Sequence, residues 1–225
     1  MPINSLKIDD LVLILPELVV AGLGLIIVIL DLIVSRKGQL RLFAIVSLMI
    51  PVAILALLTL RLWESPMSRE VAFSGTFLID TYSLFFKSLI MGSLILLLLA
   101  SQDYIARFGT HQAEFIGLMF FSSSGLMLLV SAVDLITIFV SLELASLPVI
   151  AMAAFLKNDN RSAEAAIKFF ILSSLSSAIL LYGFAFLYGA IGTVRVVSVD
   201  PSVPSMASML AIAPSSSLVS NGALL

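Results

Sequence analysis

Residues 134–189 read DLITIFVSLELASLPVIAMAAFLKNDNRSAEAAIKFFILSSLSSAILLYGFAFLYG. Two long apolar runs flank a short charged connector. Each run holds one ionisable residue well inside it, Glu143 in the first and Lys168 in the second. A bilayer penalises such residues by roughly 2.5–3.5 kcal/mol each on insertion scales. An acid and an amine kept at that cost point to the handling of charge, and the expected activity is ion translocation, of protons first.

The rest of the composition agrees with a lipid solvent. The 225 residues are 60% hydrophobic and 12% charged, with a mean hydropathy of +1.17. Soluble domains are nearer half apolar and a quarter charged, so this chain has more apolar surface than its own core can hide. The net charge of −2 favours no soluble partner. The twelve Lys and Arg are scattered in short loops without a basic stripe, which leaves no footprint for nucleic acid. The absence of Cys excludes thiolate metal sites, Fe–S clusters and disulfides on this chain, and the lone His111 supplies no metal-ligand set. A cleavable signal peptide does not fit, because the first apolar run is too long and Asp9 and Asp10 stand where basic residues belong.

A spanning helix needs about 20 mostly apolar residues. Runs of that kind cover residues 11–34, 42–60, 77–100, 115–132, 135–156 and 165–189, and a further one starts at 206 and stops at 225 in GALL. The expectation is an all-α polytopic membrane protein. It forms one transmembrane domain over 1–225, with six helices and the start of a seventh, and reads as a fragment of a longer subunit. Pro51 interrupts the second run, Trp63 falls at an interface position, and the fourth and fifth runs are joined tightly enough to form an antiparallel hairpin. With the N-terminus outside, the inner loops carry Arg36, Lys37, Arg41, Arg107, Lys157 and Arg161, against Lys7, Arg61, Arg69 and Arg195 outside. That bias orients the N-terminus outward.

Glu143 lies nine residues after Asp134, about 13 Å along a helix and near the middle of a ~30 Å core. The bland alternative is a protonated acid bonded to a neighbouring helix. Pro148 frees the carbonyl of Leu144 and leaves a backbone acceptor next to the acid. Lys168 sits seven residues past Arg161, about 10 Å along the helix; its alternatives are snorkelling to the interface and an i−4 pair with Glu164. Placed opposite each other on adjacent helices, Glu143 and Lys168 would form an exchanging pair, because removal of water penalises the charged form of each. Lys87 occupies the middle of the third run, with Asp80 on nearly the same face, and is a third candidate for the polar line. The serines at 122–124 and at 173, 174, 176 and 177 read as packing residues that let helices approach. Glu17, Asp31, Asp134 and His111 lie near the ends of runs and read as anchors or caps.

Several of these stretches, taken together, resemble a known family. Pro16–Leu18 with Asp31, the DTYSLFFK of Asp80–Lys87, the DLITIFVSLELASLPV of Asp134–Val149, and KNDNRSAEAAIKFFILSSLSSAILLYGFAFLYGAIGT are similar to the antiporter-like membrane subunits of NADH:quinone oxidoreductase (complex I), the subunit N type nearest. The resemblance spans the chain and is most specific over 134–193. It implies that Glu143 is the helix-5 proton-channel glutamate and Lys168 the helix-6 lysine, and that the chain is the N-terminal half of such a subunit. It also implies that NADH, FMN, Fe–S clusters and quinone belong to partner subunits, with no cofactor on this chain. The partners implied are adjacent antiporter-like subunits and small membrane subunits, in a bacterial plasma (inner) membrane. A cation/proton antiporter or membrane-bound hydrogenase subunit has the same charge pattern, and a structural scaffold is the alternative of another class.

Overall fold

The computed structural model describes residues 8–33, 43–63, 69–106, 108–109, 111–156, 158–198 and 203–212. Apolar length decides the architecture. Among the described residues six helical stretches are long and apolar enough to cross a membrane: Leu15–Ile33, Phe43–Leu60, Thr81–Ala100, Gln112–Ser131, Leu135–Ala153 and Asn160–Ile191. The protein is an all-α, multi-pass bundle, with a short further helix after the sixth span.

In chain order, α1 (Ile8–Leu13) leads into α2 (Leu15–Ile33). The break falls just ahead of Pro16, which has no N–H to continue the ladder and suits a first helical turn. The second span bends in the same way at Leu48, three residues before Pro51, and continues as α3 (Met49–Trp63). Strands β1 (Glu70–Ala72) and β2 (Phe77–Ile79) then form a small antiparallel hairpin, Val71 opposite Leu78. Ser74 in its turn adopts a positive φ of 56°. The third membrane helix, α4 (Thr81–Ala100), therefore begins at Thr81 and not at Phe77, because Phe77–Ile79 belongs to the hairpin. There follow α5 (Gln102–Ala106), α6 (Gln112–Ser131), α7 (Leu135–Ala153), α8 (Asn160–Ile191) and α9 (Met206–Ile212). At 1.5 Å per residue the 32-residue α8 is about 48 Å long, longer than a ~30 Å hydrocarbon core, so its ends project.

Aspartates start three of these helices. Asp80, extended, accepts from Ser83 N at 2.8 Å while Ser83 Oγ accepts from Asp80 N at 3.0 Å, a full capping box on α4. Asp134 accepts from Thr137 N at 2.9 Å and from Thr137 Oγ1 at 2.7 Å on α7. Asp159 accepts from Arg161 N at 3.0 Å on α8. These side chains satisfy N–H groups that a helix end otherwise leaves orphaned. At its far end α8 closes on Gly192 at φ 78°, the left-handed position that glycine takes without strain.

The central element is α6, which packs against α2, α4 and α7. Val20, Leu23 and Ile27 of α2, Met91, Leu94 and Leu98 of α4, and Ile116, Phe120 and Met127 of α6 share one buried cluster. Small residues let the backbones close. A Cβ on Gly117 would lie 2.7 Å from Val28 and 3.2 Å from the carbonyl of Gly24 in α2. A Cβ on Gly125 would lie 2.5 Å from the backbone nitrogen of Ala145 in α7. Between membrane helices this close approach is itself the attraction, since lipid supplies no hydrophobic drive.

The two ends of the bundle are finished differently. At one end three connecting segments are laced together: Val133 N donates to Thr76 O, Leu135 N to Val194 O and Val196 N to Val133 O, each at 2.9 Å. Arg195 reaches across to donate to Ser74 O at 2.6 Å. At the other end Tyr104, Phe108, Phe115 and Phe155 meet edge-on or tilted, with ring centroids 4.7–5.9 Å apart. The loop charges used to orient the N-terminus at positions 7, 36, 37, 41, 107 and 157, the side chains of Arg61 and Trp63, and the run beyond 212 lie outside the described residues.

The α6–α7 contact gives a direct check. Gly125→Val should lower the unfolding temperature of the detergent-purified protein, through an overpacking cost of about 1–3 kcal/mol. Gly22→Ala, where a Cβ meets nothing within 4 Å, should leave that temperature unchanged.

Candidate charge-handling site

Inside the bundle the first polar contact is an ion pair. Lys87 Nζ lies 2.5 Å from Glu17 Oε1, and both side chains are wholly buried. Lys87 stands six residues after Thr81 in α4, about 9 Å along the helix, too deep to reach water easily. Glu17 occupies the first turn of α2. Burial of both charges is tolerable because each neutralises the other at contact distance. Glu17 Oε2 has no hydrogen-bond partner among the described residues, so Lys87 carries nearly all of that compensation.

This overturns two expectations. Glu17 is not an interfacial anchor: helices α2 and α4 enclose it, and the apolar residues 11–15 ahead of it place it inside the run rather than at its edge. Asp80 does not share a polar line with Lys87, because its carboxylate caps α4 and Lys87 turns to α2 instead. Asp134 does act as a cap. His111 pairs with Glu114 at 2.7 Å on the exposed end of α6.

Glu143 lies in the middle of α7, partly buried, and accepts a short hydrogen bond at Oε1 from Ser177 Oγ of α8. A serine read from sequence as packing is thus its polar neighbour across the helix pair. Lys168 takes a different partner. Its amine lies 2.5 Å from Glu164 Oε1 on its own helix, with both side chains largely exposed. The expected face-to-face Glu143–Lys168 pair does not form, and the helix period explains why. Lys168 precedes Ser177 by nine residues, two and a half turns, which sets it about 13.5 Å away in height and on the opposite side of α8.

The remaining polar contacts run through α6. Ser124 Oγ donates to the backbone carbonyl of Glu17 at 2.9 Å, and Ser122 Oγ donates to the carbonyl of Ala145 at 2.8 Å. Pro148 is buried within α7. Among the described residues no cluster of His, Cys, Asp and Glu has the grouping a metal ion needs. The arrangement is suited to holding charge inside the bundle.

The two lysine pairs should respond very differently to mutation. Lys87→Met leaves Glu17 buried and unpaired, and should destabilise the protein by about 3–5 kcal/mol, whereas Glu17→Leu with Lys87→Met should recover most of that. Lys168→Ala removes a pair on the outer flank of α8 and leaves no buried charge, so it should destabilise far less than Lys87→Met. Thermal unfolding in detergent distinguishes the three.

Comparison with known proteins places this geometry. Residues 132–224 match the family described as NADH:quinone oxidoreductase/Mrp antiporter, TM. NADH-quinone oxidoreductase subunit N of Rhodospirillum rubrum is 35% identical over 185 residues, 80% of this chain and 37% of that protein. NAD(P)H-quinone oxidoreductase subunit 2 of a Synechocystis species is 38% identical over 80% of this chain and 34% of its own length. F(420)H(2) dehydrogenase subunit N of Methanosarcina mazei is 34% identical over 84% of this chain and 38% of its own. The chain spans less than half the length of the curated relatives it matches. Among solved structures, respiratory complex I from Thermus thermophilus superposes with a TM-score of 0.64 at 26% identity, over 87% of this chain and 41% of that one. An archaeal membrane-bound sulfane sulfur reductase shares the fold, with a TM-score of 0.69 at 19% identity over 84% of this chain and 38% of that one. With its six spanning helices, the chain is similar to the antiporter-like membrane subunits of NADH:quinone oxidoreductase, the subunit N type among them.

Proposed function

We propose that this chain is part of a proton-translocating membrane subunit of an NADH:quinone oxidoreductase, working as a subunit of that translocase with no redox chemistry of its own. The observation that carries the reading is Glu143: an acid about halfway along a spanning helix, with a hydroxyl of the next helix on its carboxylate. A membrane interior tolerates such a group where it is paired or hydrated, and most often where it moves charge. Similarity to subunit N proteins supports the same reading.

In this mechanism Glu143 takes up and releases the proton, and Ser177 holds its carboxylate toward α8. Lys168, on the other flank of α8, is a separate relay group whose charge Glu164 balances between transfers. Lys87 stays in its pair with Glu17. NADH, FMN, Fe–S clusters and quinone reside in partner subunits, and the energy of quinone reduction reaches Glu143 through charge and conformation in the adjacent antiporter-like and small membrane subunits. The subunit sits in a bacterial plasma membrane, with its N-terminus outside and residues 1–225 within one transmembrane domain.

A second reading has a specific observation in its favour. The Methanosarcina relative is a subunit of an F(420)H(2) dehydrogenase, so the same membrane part serves another electron donor there, and an antiporter or hydrogenase assembly would use it in the same way. Co-purification of the electron-input subunits with this chain separates these cases.

The decisive substitution is Glu143→Gln, which keeps size and hydrogen bonding and removes the exchangeable proton. The assembled complex should still oxidise its donor but lose most of its proton pumping, measured as ΔpH formation in proteoliposomes. Pumping at the wild-type level would instead mark the chain as a scaffold.

A further inference from the structure

The polar contacts within the bundle join into one continuous brace. Lys87 of α4 meets Glu17 of α2 at 2.5 Å. The backbone carbonyl of Glu17 accepts from Ser124 of α6 at 2.9 Å. One half-turn earlier on α6, Ser122 donates to the carbonyl of Ala145 on α7 at 2.8 Å. Two residues before Ala145, Glu143 accepts from Ser177 of α8. Five helices are crossed, and the buried serines Ser122 and Ser124 form the middle links. Gly125, beside them on α6, lies close against the backbone of Leu144 and Ala145, so α7 has little room to slide along α6 there.

Membrane helices lack a hydrophobic force pressing them together, and their relative height is set by close packing and by hydrogen bonds of this kind. A wholly buried ion pair is the stiffest link available, because separating its charges leaves both without water. We propose that Glu17 and Lys87 are positioning residues for Glu143. The pair fixes the height of α2 against α4, Ser124 ties α6 to that height, and Ser122 with Gly125 passes it to the turn of α7 that carries the acid. This rests on the reading of Glu143 as the proton carrier; the placement of Glu143 is also measurable without pumping.

The test uses the assembled complex in its membrane and a hydrophobic carbodiimide, to which protonated carboxyl groups add from the lipid side, giving an O-acylisourea that rearranges to a stable N-acylurea. The rate at which Glu143 is labelled, read by mass spectrometry of its peptide, reports its surroundings. Ser124→Ala and the double variant Glu17→Leu/Lys87→Met should each change that rate by about two- to thirtyfold, the range of coupling between packed elements. Ser124→Thr, which restores a hydroxyl, should bring it back to the wild-type rate. In a Glu143→Gln background neither variant should reduce pumping further, since a positioning group has nothing left to position. Unchanged labelling in Ser124→Ala overturns the proposal, as do pumping losses that multiply with that of Glu143→Gln. Should the double variant fail to assemble, Ser124→Ala, which keeps both charges, decides alone. Unaltered pumping in Glu143→Gln would sink the proton-carrier reading and leave the labelling rates to judge the brace.

Discussion

Lys87 and Glu17 meet where neither can be hydrated, and much of the bundle's geometry follows from that constraint. An ammonium or a carboxylate alone at such a depth is costly enough to unfold the region around it, so α2 and α4 are held at one height relative to each other. The helix between them and the acid-bearing α7 is α6, whose buried face mixes large apolar side chains with Ser122, Ser124 and two close-packed glycines. Apolar packing supplies the area, and the hydroxyls and glycines fix the register.

Two charged pairs in one chain show how environment decides what a pair is for. Lys87 and Lys168 both sit a few turns into an apolar helix, and both have an acid within 2.5 Å. Lys87 pairs across helices with no exposure, so its partner is a structural necessity. Lys168 pairs within its helix at i−4 and stands on the outer flank of α8, where no other helix of this chain locks it in place. A group free to exchange suits relay; a group locked in place suits alignment.

Much of this was legible from residue order, and the misses have identifiable causes. The six spans follow from apolar length, and the acid at the middle of the fifth follows from counting 1.5 Å per residue from Asp134. Asp134 reads as a cap from its place at the start of a run, whereas the caps at Asp80 and Asp159 emerge only with the fold. The Glu17–Lys87 pair was hidden because it joins residues 70 apart, and linear position made Glu17 look peripheral. The available signal was Lys87 itself: a lysine too deep to snorkel requires an acid on another helix, and Glu17, preceded by five apolar residues, was on offer. The supposed Glu143–Lys168 pairing erred by comparing depth without azimuth. The hairpin of residues 70–79 was missed because its short apolar strand continues without a break toward α4.

The laced segments around Val133, Val194 and Arg195 tie that end of α6, α7 and α8 through backbone groups that bond one another and through Arg195 on Ser74. The opposite end carries His111, Glu114, Asn158 and Asp159 around an open groove of about 540 Å³ beside the aromatic cluster. The two ends of the bundle are thus finished by different chemistry, one by backbone ties between connecting segments and the other by packed rings beside a polar groove.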